Sequence, residues 1–378
     1  MKVLFLGDVM PSGDQTGKEV QVSNRLTKYL SGFDCRIATL ESAVGTYDTI
    51  HETKQPRSEV AVWSKEEDLH KLLDFGINVV SLANNHACDC GIDSMIRLKE
   101  TLHGMGIASI GAGRNLTEAS APYIIEKSGI SFAVVGVCDD NPASLGTLQF
   151  ATEESAGIYR FNEENLIKQI KELKQQYSHV AIVVHWGVEH KWLPEQCDID
   201  RGKSLIDAGA DIIMGGHPHH IQPMIIYKKR PVFFSLGNYY FPDFCLDKVS
   251  NMYYPDQLEM DNLPVFDWMS PDRRSFAMKY FWKYYGRLGM AACVDIGSAN
   301  IVSNVRFTIY KKGRIKLSKM SLAHLCGLKL HSFFVGKQIS PKINYYETLI
   351  RNIIEYKFLS LFVKKYQFFK YLEKNKME

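Results

Sequence analysis

The chain of 378 residues is 46% hydrophobic and 23% charged, with a formal net charge of +3, enough apolar material for one large core or two smaller ones. A balance this close to neutrality carries no polyanion-binding signature, which argues against nucleic acid as a partner. No run of eighteen apolar residues occurs, so no spanning helix is expected; the opening MKVLFLGDVM is too short for an export signal and reads as a first strand, which makes a cytoplasmic location the expectation.

Apolar β-like runs alternate with helix-like stretches up to about residue 238. Strands are expected at Val3–Leu6, Arg36–Leu40, Val79–Ala83, Ala108–Ile110, Ser131–Val137, Val180–Val184, Ile212–Met214 and Val232–Ser235. Between them, Leu69, Leu72 and Leu73 recur at helical spacing and stop at Gly76. Met95, Leu98 and Leu102 form a second such stripe, and Leu166, Ile170 and Leu173 a third. This alternation predicts an α/β architecture. From Tyr240 to Tyr285 thirteen aromatic residues fall among four prolines without a sustained period, which reads either as an irregular packed segment or as a substrate wall. Strands resume at Met290–Asp295, Val302–Tyr310 and Ile315–Leu317, the last two joined at Lys312-Gly313. The final stretch has a helical apolar stripe and a basic-aromatic end, with eight Lys/Arg against four Asp/Glu over 341–378. It suits docking on the body, on a partner or on a membrane surface. The eight cysteines are scattered, several of them inside expected strands, as buried free thiols in a reducing compartment would be.

The chemistry gathers where apolar runs end. Asp8, Glu41, Asn85, His86, His185, His217 and His219 each stand at such an end, beside a glycine or another small residue. Carboxylate, amide and imidazole in this mixture suit a divalent metal better than a Ser or Cys nucleophile. Asp8 alone could cap a turn, and Glu41 alone could be solvated. In Asn84-Asn85-His86, Asn85 can offer an amide oxygen and His86 an imidazole oriented by Asp89; a left-handed turn with a buried histidine is the competing account. His185 closes the buried run VAIVV and needs a partner. In Gly-Gly-His217-Pro218-His219, the proline is expected to hold an extended backbone that projects both imidazoles to one side. Glu189 and His190, just beyond His185, could bind substrate or face solvent.

The ordered motifs GDVM, LES, LANNHACDCG, HWGVEH, GGHPHHIQP and FSLGNYYF closely resemble the CapA family of poly-γ-glutamate capsule synthesis proteins, over roughly residues 1–240. The resemblance implies a calcineurin-like metallophosphoesterase fold, two packed β-sheets flanked by helices in α/β/β/α layers, with metals at the strand C-terminal ends. By that resemblance Asp8 and His219 bind a first ion and Glu41 bridges. Asn85, His185 and His217 complete a second site, His86 stands beside the reacting group, and Asn238 supports the site. Three features depart from the pattern: Met10 stands where the wider fold has the histidine of D-x-H, Cys90 stands where the family has tyrosine in D-Y-G, and the aromatic stretch looks like an insertion.

The organisation expected is a domain over 1–320, with the aromatic-rich insertion at 240–288, and a helical C-terminal extension over 321–378. One or two divalent ions (Mn, Fe or Zn) are the implied cofactor. Three functions remain open: a metal-dependent hydrolase of phosphoester or amide bonds acting on an anionic or peptide-like capsule polymer or its precursor; a non-catalytic component working with membrane-associated capsule synthesis partners; or a general phosphoesterase.

Overall fold

The computed structural model describes residues 1–12, 19–46, 61–140, 148–242, 282, 284–297 and 301–318, together with Thr49 and short strand pieces between 244 and 280. The chain divides into two units, Met1–Lys319 and Met320–Glu378; the expected C-terminal helical extension lies outside the described residues.

Two sheets form the centre. The strands of the first are β1 (Lys2–Val9), β2 (Gln21–Val22), β3 (Cys35–Leu40), β4 (Val79–Ser81) and β5 (Ala108–Ile110). Those of the second are β6 (Tyr123–Lys127), β7 (Ile130–Cys138), β8 (His179–His185), β9 (Ile212–Gly216), β10 (Met224–Tyr227) and β11 (Arg230–Phe233). The chain then returns to the first sheet with β12 (Asn238–Tyr240), β13 (Leu288–Ile296), β14 (Ile301–Lys311) and β15 (Arg314–Ser318). The first sheet runs β2-β15-β14-β13-β1-β3-β4-β5, with β12 also on β1, and the second runs β10-β11-β9-β8-β7-β6. Within each, the strands nearest the site are parallel: β1, β3, β4 and β5 in one, β7, β8, β9 and β11 in the other.

Parallel strands need crossovers, and the helices that supply them cover the outer faces. Asn24–Leu30 and Ile92–Gly104 bury Leu26, Leu30, Met95, Leu98 and Leu102 with Leu4, Leu6, Leu40 and Val80 of the first sheet. Glu163–Gln176 and Gln196–Asp207 pack on the second sheet through Leu166, Ile170 and Ile199, Leu205. Between the sheets, Phe5 meets Phe132 edge-on, with ring centroids 6.4 Å apart. The layers are therefore helix, sheet, sheet, helix, as the sequence implied. Because VAIVV of β8 is covered on both faces, it is an unbroken apolar run rather than an alternating one.

Several local expectations are refined. The stripe ending at Gly76 is a 3₁₀ stretch, Glu66–His70, followed by one α turn, Lys71–Asp74. Gly76 takes φ +75° and closes it, with Ile77 N–H donating back to Leu72. The aromatic stretch is not wholly irregular: Phe244–Leu246, Met252–Tyr253, Met269–Pro271 and Met278–Tyr280 join Ala43–Val44 and Ala61–Ser64 in a third sheet. Of the described cysteines, Cys35, Cys88, Cys90 and Cys138 are buried free thiols, but Cys197 is exposed. Among the described residues no helix is long and apolar enough to cross a membrane.

Candidate metal centre

Open α/β sheets present their ligands at the carboxyl ends of parallel strands, and the chemistry collects there. Asp8 lies near the end of β1, Glu41 follows β3, and Asn84, Asn85 and His86 follow β4. His185 ends β8, His217 and His219 follow β9, and Asn238 opens β12.

Asp8 reaches the site through an irregularity. Between Phe5 and Asp8 the register of β1 against β3 slips by one residue. Leu4 and Leu6 face the helix layer, and after the slip so does Val9; Asp8 thereby turns toward the space between the sheets. Such bulges commonly re-aim a side chain beside an active site. The backbone at this point is tight: a Cβ on Gly7 would lie 1.8 Å from the Gly237 carbonyl oxygen.

Two ligand groups share Glu41. Glu41, His185 and His217 form one, and Asp8, Glu41 and His219 the other; within each, the ligand atoms lie within 4.8 Å of one another. Glu41 Oε1 is 3.2 Å from His185 Nε2, 3.5 Å from His219 Nε2 and 4.0 Å from His217 Nδ1. Asn85 Oδ1 is 2.8 Å from that same His185 Nε2, so amide, carboxylate and imidazole point at a common position. Asp8 Oδ2 accepts the backbone N–H of His217 at 3.1 Å, leaving Oδ1 for a ligand.

The surrounding groups fix orientation. Asn238 Nδ2 donates to the Gly286 carbonyl at 2.8 Å, which turns its Oδ1 toward His219 Nδ1 at 2.9 Å. His219 therefore carries its proton on Nδ1 and offers the Nε2 lone pair to the Glu41 side. Asp89 Oδ2 accepts from Val62 N–H and lies 2.7 Å from His86 Nδ1. Asn84 donates to Leu40 O and accepts from His86 N–H, which ties the β4 exit to the end of β3. Glu189 and His190 do not face open solvent: their side chains are 17% and 19% exposed, and His190 lies against His219 and Trp282.

The histidine pair arrives differently from expectation. His217 and His219 do face Glu41 together, but not on an extended segment: their φ angles are +94° and +54°. A residue before proline ordinarily avoids such a backbone, so His217 is strained, as residues at functional sites can be.

The electrostatics identify what would fit. Burial pushes the Asp8 carboxyl up to about 7, against the opposing pull of the His217 N–H. Burial drives Glu41 well above the usual carboxylate range, reinforced by the charges of Asp8, Glu189 and Asp89. Burial also drives His185 and His217 well below the ordinary imidazole value and His219 down to about 3. Carboxyls that resist ionising and imidazoles that resist protonation share the need for a cation that is not a proton. Among the described residues, Asp8 Oδ1 and both Glu41 oxygens have no hydrogen-bond partner. Buried polar atoms are rarely left so, and a borderline divalent ion suits this mixed N/O donor set.

The sequence did not reveal Gly216, whose added Cβ would meet Asp8 Oδ1 at 2.5 Å; the paired glycines before His217 were the available signal. Phe241 and Trp282, from the aromatic stretch expected as a packed segment or a substrate wall, stand 5.0 Å from the His219 ring, though nothing in that stretch singles out these two rings.

Comparison with known proteins bears on the first two thirds of the chain. Residues 2–243 match the model of the family described as bacterial capsule synthesis protein PGA_cap. The PGA biosynthesis protein CapA of Bacillus subtilis is 30% identical over 249 residues, 63% of this chain and 62% of that protein. The capsule biosynthesis protein CapA of Bacillus anthracis is 30% identical over 224 residues, 58% of this chain and 53% of that one. The match thus spans less than two thirds of each of these curated relatives. Among solved structures, Haemophilus influenzae NAD nucleotidase superposes with a TM-score of 0.42 at 11% identity, over 90% of this chain and 56% of that one.

Proposed function

The chain belongs to the family of bacterial capsule synthesis proteins, and on that premise we propose that it is a metal-dependent hydrolase acting on an anionic or peptide-like capsule polymer or on its precursor. The observation that carries this reading is Glu41, buried without a hydrogen-bond partner among the described residues and common to two ligand groups. Asp8, Glu41 and His219 are assigned to one ion. Glu41, Asn85, His185 and His217 are assigned to a second, with Mn, Fe or Zn as the candidates.

Bound there, a metal pair supplies Lewis acidity that activates water and offsets charge building up on the substrate. The protein's own part is orientation and proton handling. Asp89 holds His86 through Nδ1, which leaves Nε2 as the atom that passes a proton to the departing group. Asn84 fixes the His86 backbone, and Asn238 fixes the His219 ring. Replacing Asn238 with Ala frees that ring. The first ion is then expected to bind about 10–100-fold more weakly, with the second unaffected, as read by competition with a chromogenic chelator. Unchanged affinity would mean that another group sets the ring.

The test of function is elemental analysis of the purified protein beside His217→Ala, followed by a screen of aryl phosphates and amide-linked substrates. One to two equivalents of metal, lost or halved in the variant, with metal-dependent turnover, is the expected result. One feature favours a non-catalytic role in capsule assembly with membrane-associated partners: Met10, fully buried, stands where D-x-H would put a further imidazole, so among the described residues the first group has three carboxylate and imidazole side chains, Asp8, Glu41 and His219. Full metal occupancy without turnover on either substrate class would support that role.

A further inference from the structure

Glu189 has no task in the centre described above. It follows β8 on a loop held by the His190 N–H donating to the Pro218 carbonyl at 2.9 Å, with His190 at φ +60°. Its side chain is only 17% exposed. Its one ion pair among the described residues is with His190 Nε2, 3.8 Å away, and no described donor reaches its carboxylate within hydrogen-bond distance. The group belongs electrically to the site, since its charge acts on Glu41 and the charge of His86 acts on it. Beside it stands a ring wall: His190 lies 5.9 Å from Trp282 and 6.1 Å from His219, and Phe241 lies 5.3 Å from Trp282.

A recessed carboxylate without a donor, next to aromatic faces, is suited to an organic cation. The carboxylate supplies the counter-charge, and the ring faces supply the attraction of their quadrupoles. A neutral donor would leave the charge of Glu189 unbalanced in its recess. A phosphate or carboxylate there would be repelled. We infer that Glu189, with the His190–Trp282 wall, is a subsite for a primary ammonium group of the substrate, next to the metal centre. Burial pushes the Glu189 carboxyl up to about 7, and an ammonium brought by the ligand would draw it back down. This inference rests on the metal-centre reading and narrows it toward substrates with a free amine, such as a peptide-like chain end or an amino sugar, and away from simple phosphomonoesters.

The probes are alanyl-alanine amide, whose only charge is its ammonium, and its N-acetylated form. Each is titrated calorimetrically into the full-length protein near pH 7, with metal content measured in parallel. The free-amine peptide is expected to bind at least about tenfold more tightly. Glu189→Gln should abolish that preference with metal content unchanged. Equal binding of the two peptides, no binding of either at millimolar concentration, or a preference that survives in Glu189→Gln would overturn the subsite. Loss of metal in Glu189→Gln would also overturn it, by making the residue part of the ion's own shell. A parent protein without metal defeats the hydrolase reading instead, and the peptide comparison then reports on the recess alone.

Discussion

Glu41→Gln is expected to empty both metal positions at once. Its carboxylate is the one group common to the two ligand sets, and its oxygens have no other described partner. An amide retains the shape but offers one weak oxygen and a pair of N–H donors, which repel a cation. In a bridging role that change removes a ligand from each ion and the charge that holds them together. Metal content should fall to background and metal-dependent turnover with it.

The stability of the same variant should move in the opposite direction. Without metal, the parent buries Glu41 beside Asp8 with only the His217 N–H on Asp8 to offset the pair; burial pushes both carboxyls upward, and the Asp8 charge raises Glu41 further. The substituted amide can donate to Asp8 and accept from an imidazole. Metal-free Glu41→Gln should therefore be about 1–3 kcal/mol more stable than the metal-free parent, visible as a higher melting temperature that no longer responds to added metal. Loss of a single equivalent would assign Glu41 to one ion only. Full retention of metal would remove it from the centre.

Much of this arrangement can be read along the chain because it depends on local patterns. VAIVV announces a strand covered on both faces, and the residue that ends it, His185, is at the mouth of the site. Helix Glu163–Gln176 declares itself by Leu166, Ile170 and Leu173, with Asn162 accepting from the Asn165 N–H at its start. Helix Gln196–Asp207 does not: Cys197, Asp198, Asp200 and Gly202 dilute its apolar stripe, and Gly202 is needed where Val232 would meet a Cβ at 2.9 Å. The approach of β1 to the Gly237 backbone is equally invisible, since the two segments are more than two hundred residues apart. Strict alternation from Leu4 and Leu6 puts Asp8 on the helix side; only the slip in register brings it to the metal side. The left-handed backbone at His217 also runs against local preference, because proline at 218 argues for an extended residue before it. The residues that gather at the candidate centre were thus legible, whereas the backbone devices that aim them depend on contacts across the fold.

Gly216→Ala should separate the two ions where Glu41→Gln removes both. A methyl group at 216 would stand 2.5 Å from Asp8 Oδ1 and 3.4 Å from its Cγ. Real side chains do not tolerate such an approach, and Asp8 has little room to give. Its Oδ2 is held by the His217 N–H, and its backbone is paired with β3 on one side and with Asn238 on the other. The carboxylate must therefore swing away from the Glu41–His219 group or push β9 outward, at a cost of about 1–3 kcal/mol. Glu41, Asn85, His185 and His217 keep their own geometry, so the expected stoichiometry is one equivalent, with the affinity of the remaining ion close to that of the parent. The double variant Asp8→Ala/Gly216→Ala tests the cause. With the carboxylate gone the methyl group has space, so its stability should match that of Asp8→Ala alone, a coupling of the kind touching residues show, while the first ion stays absent. Two equivalents in Gly216→Ala would mean that Asp8 is not a ligand; none would mean that displacing β9 disturbs both positions.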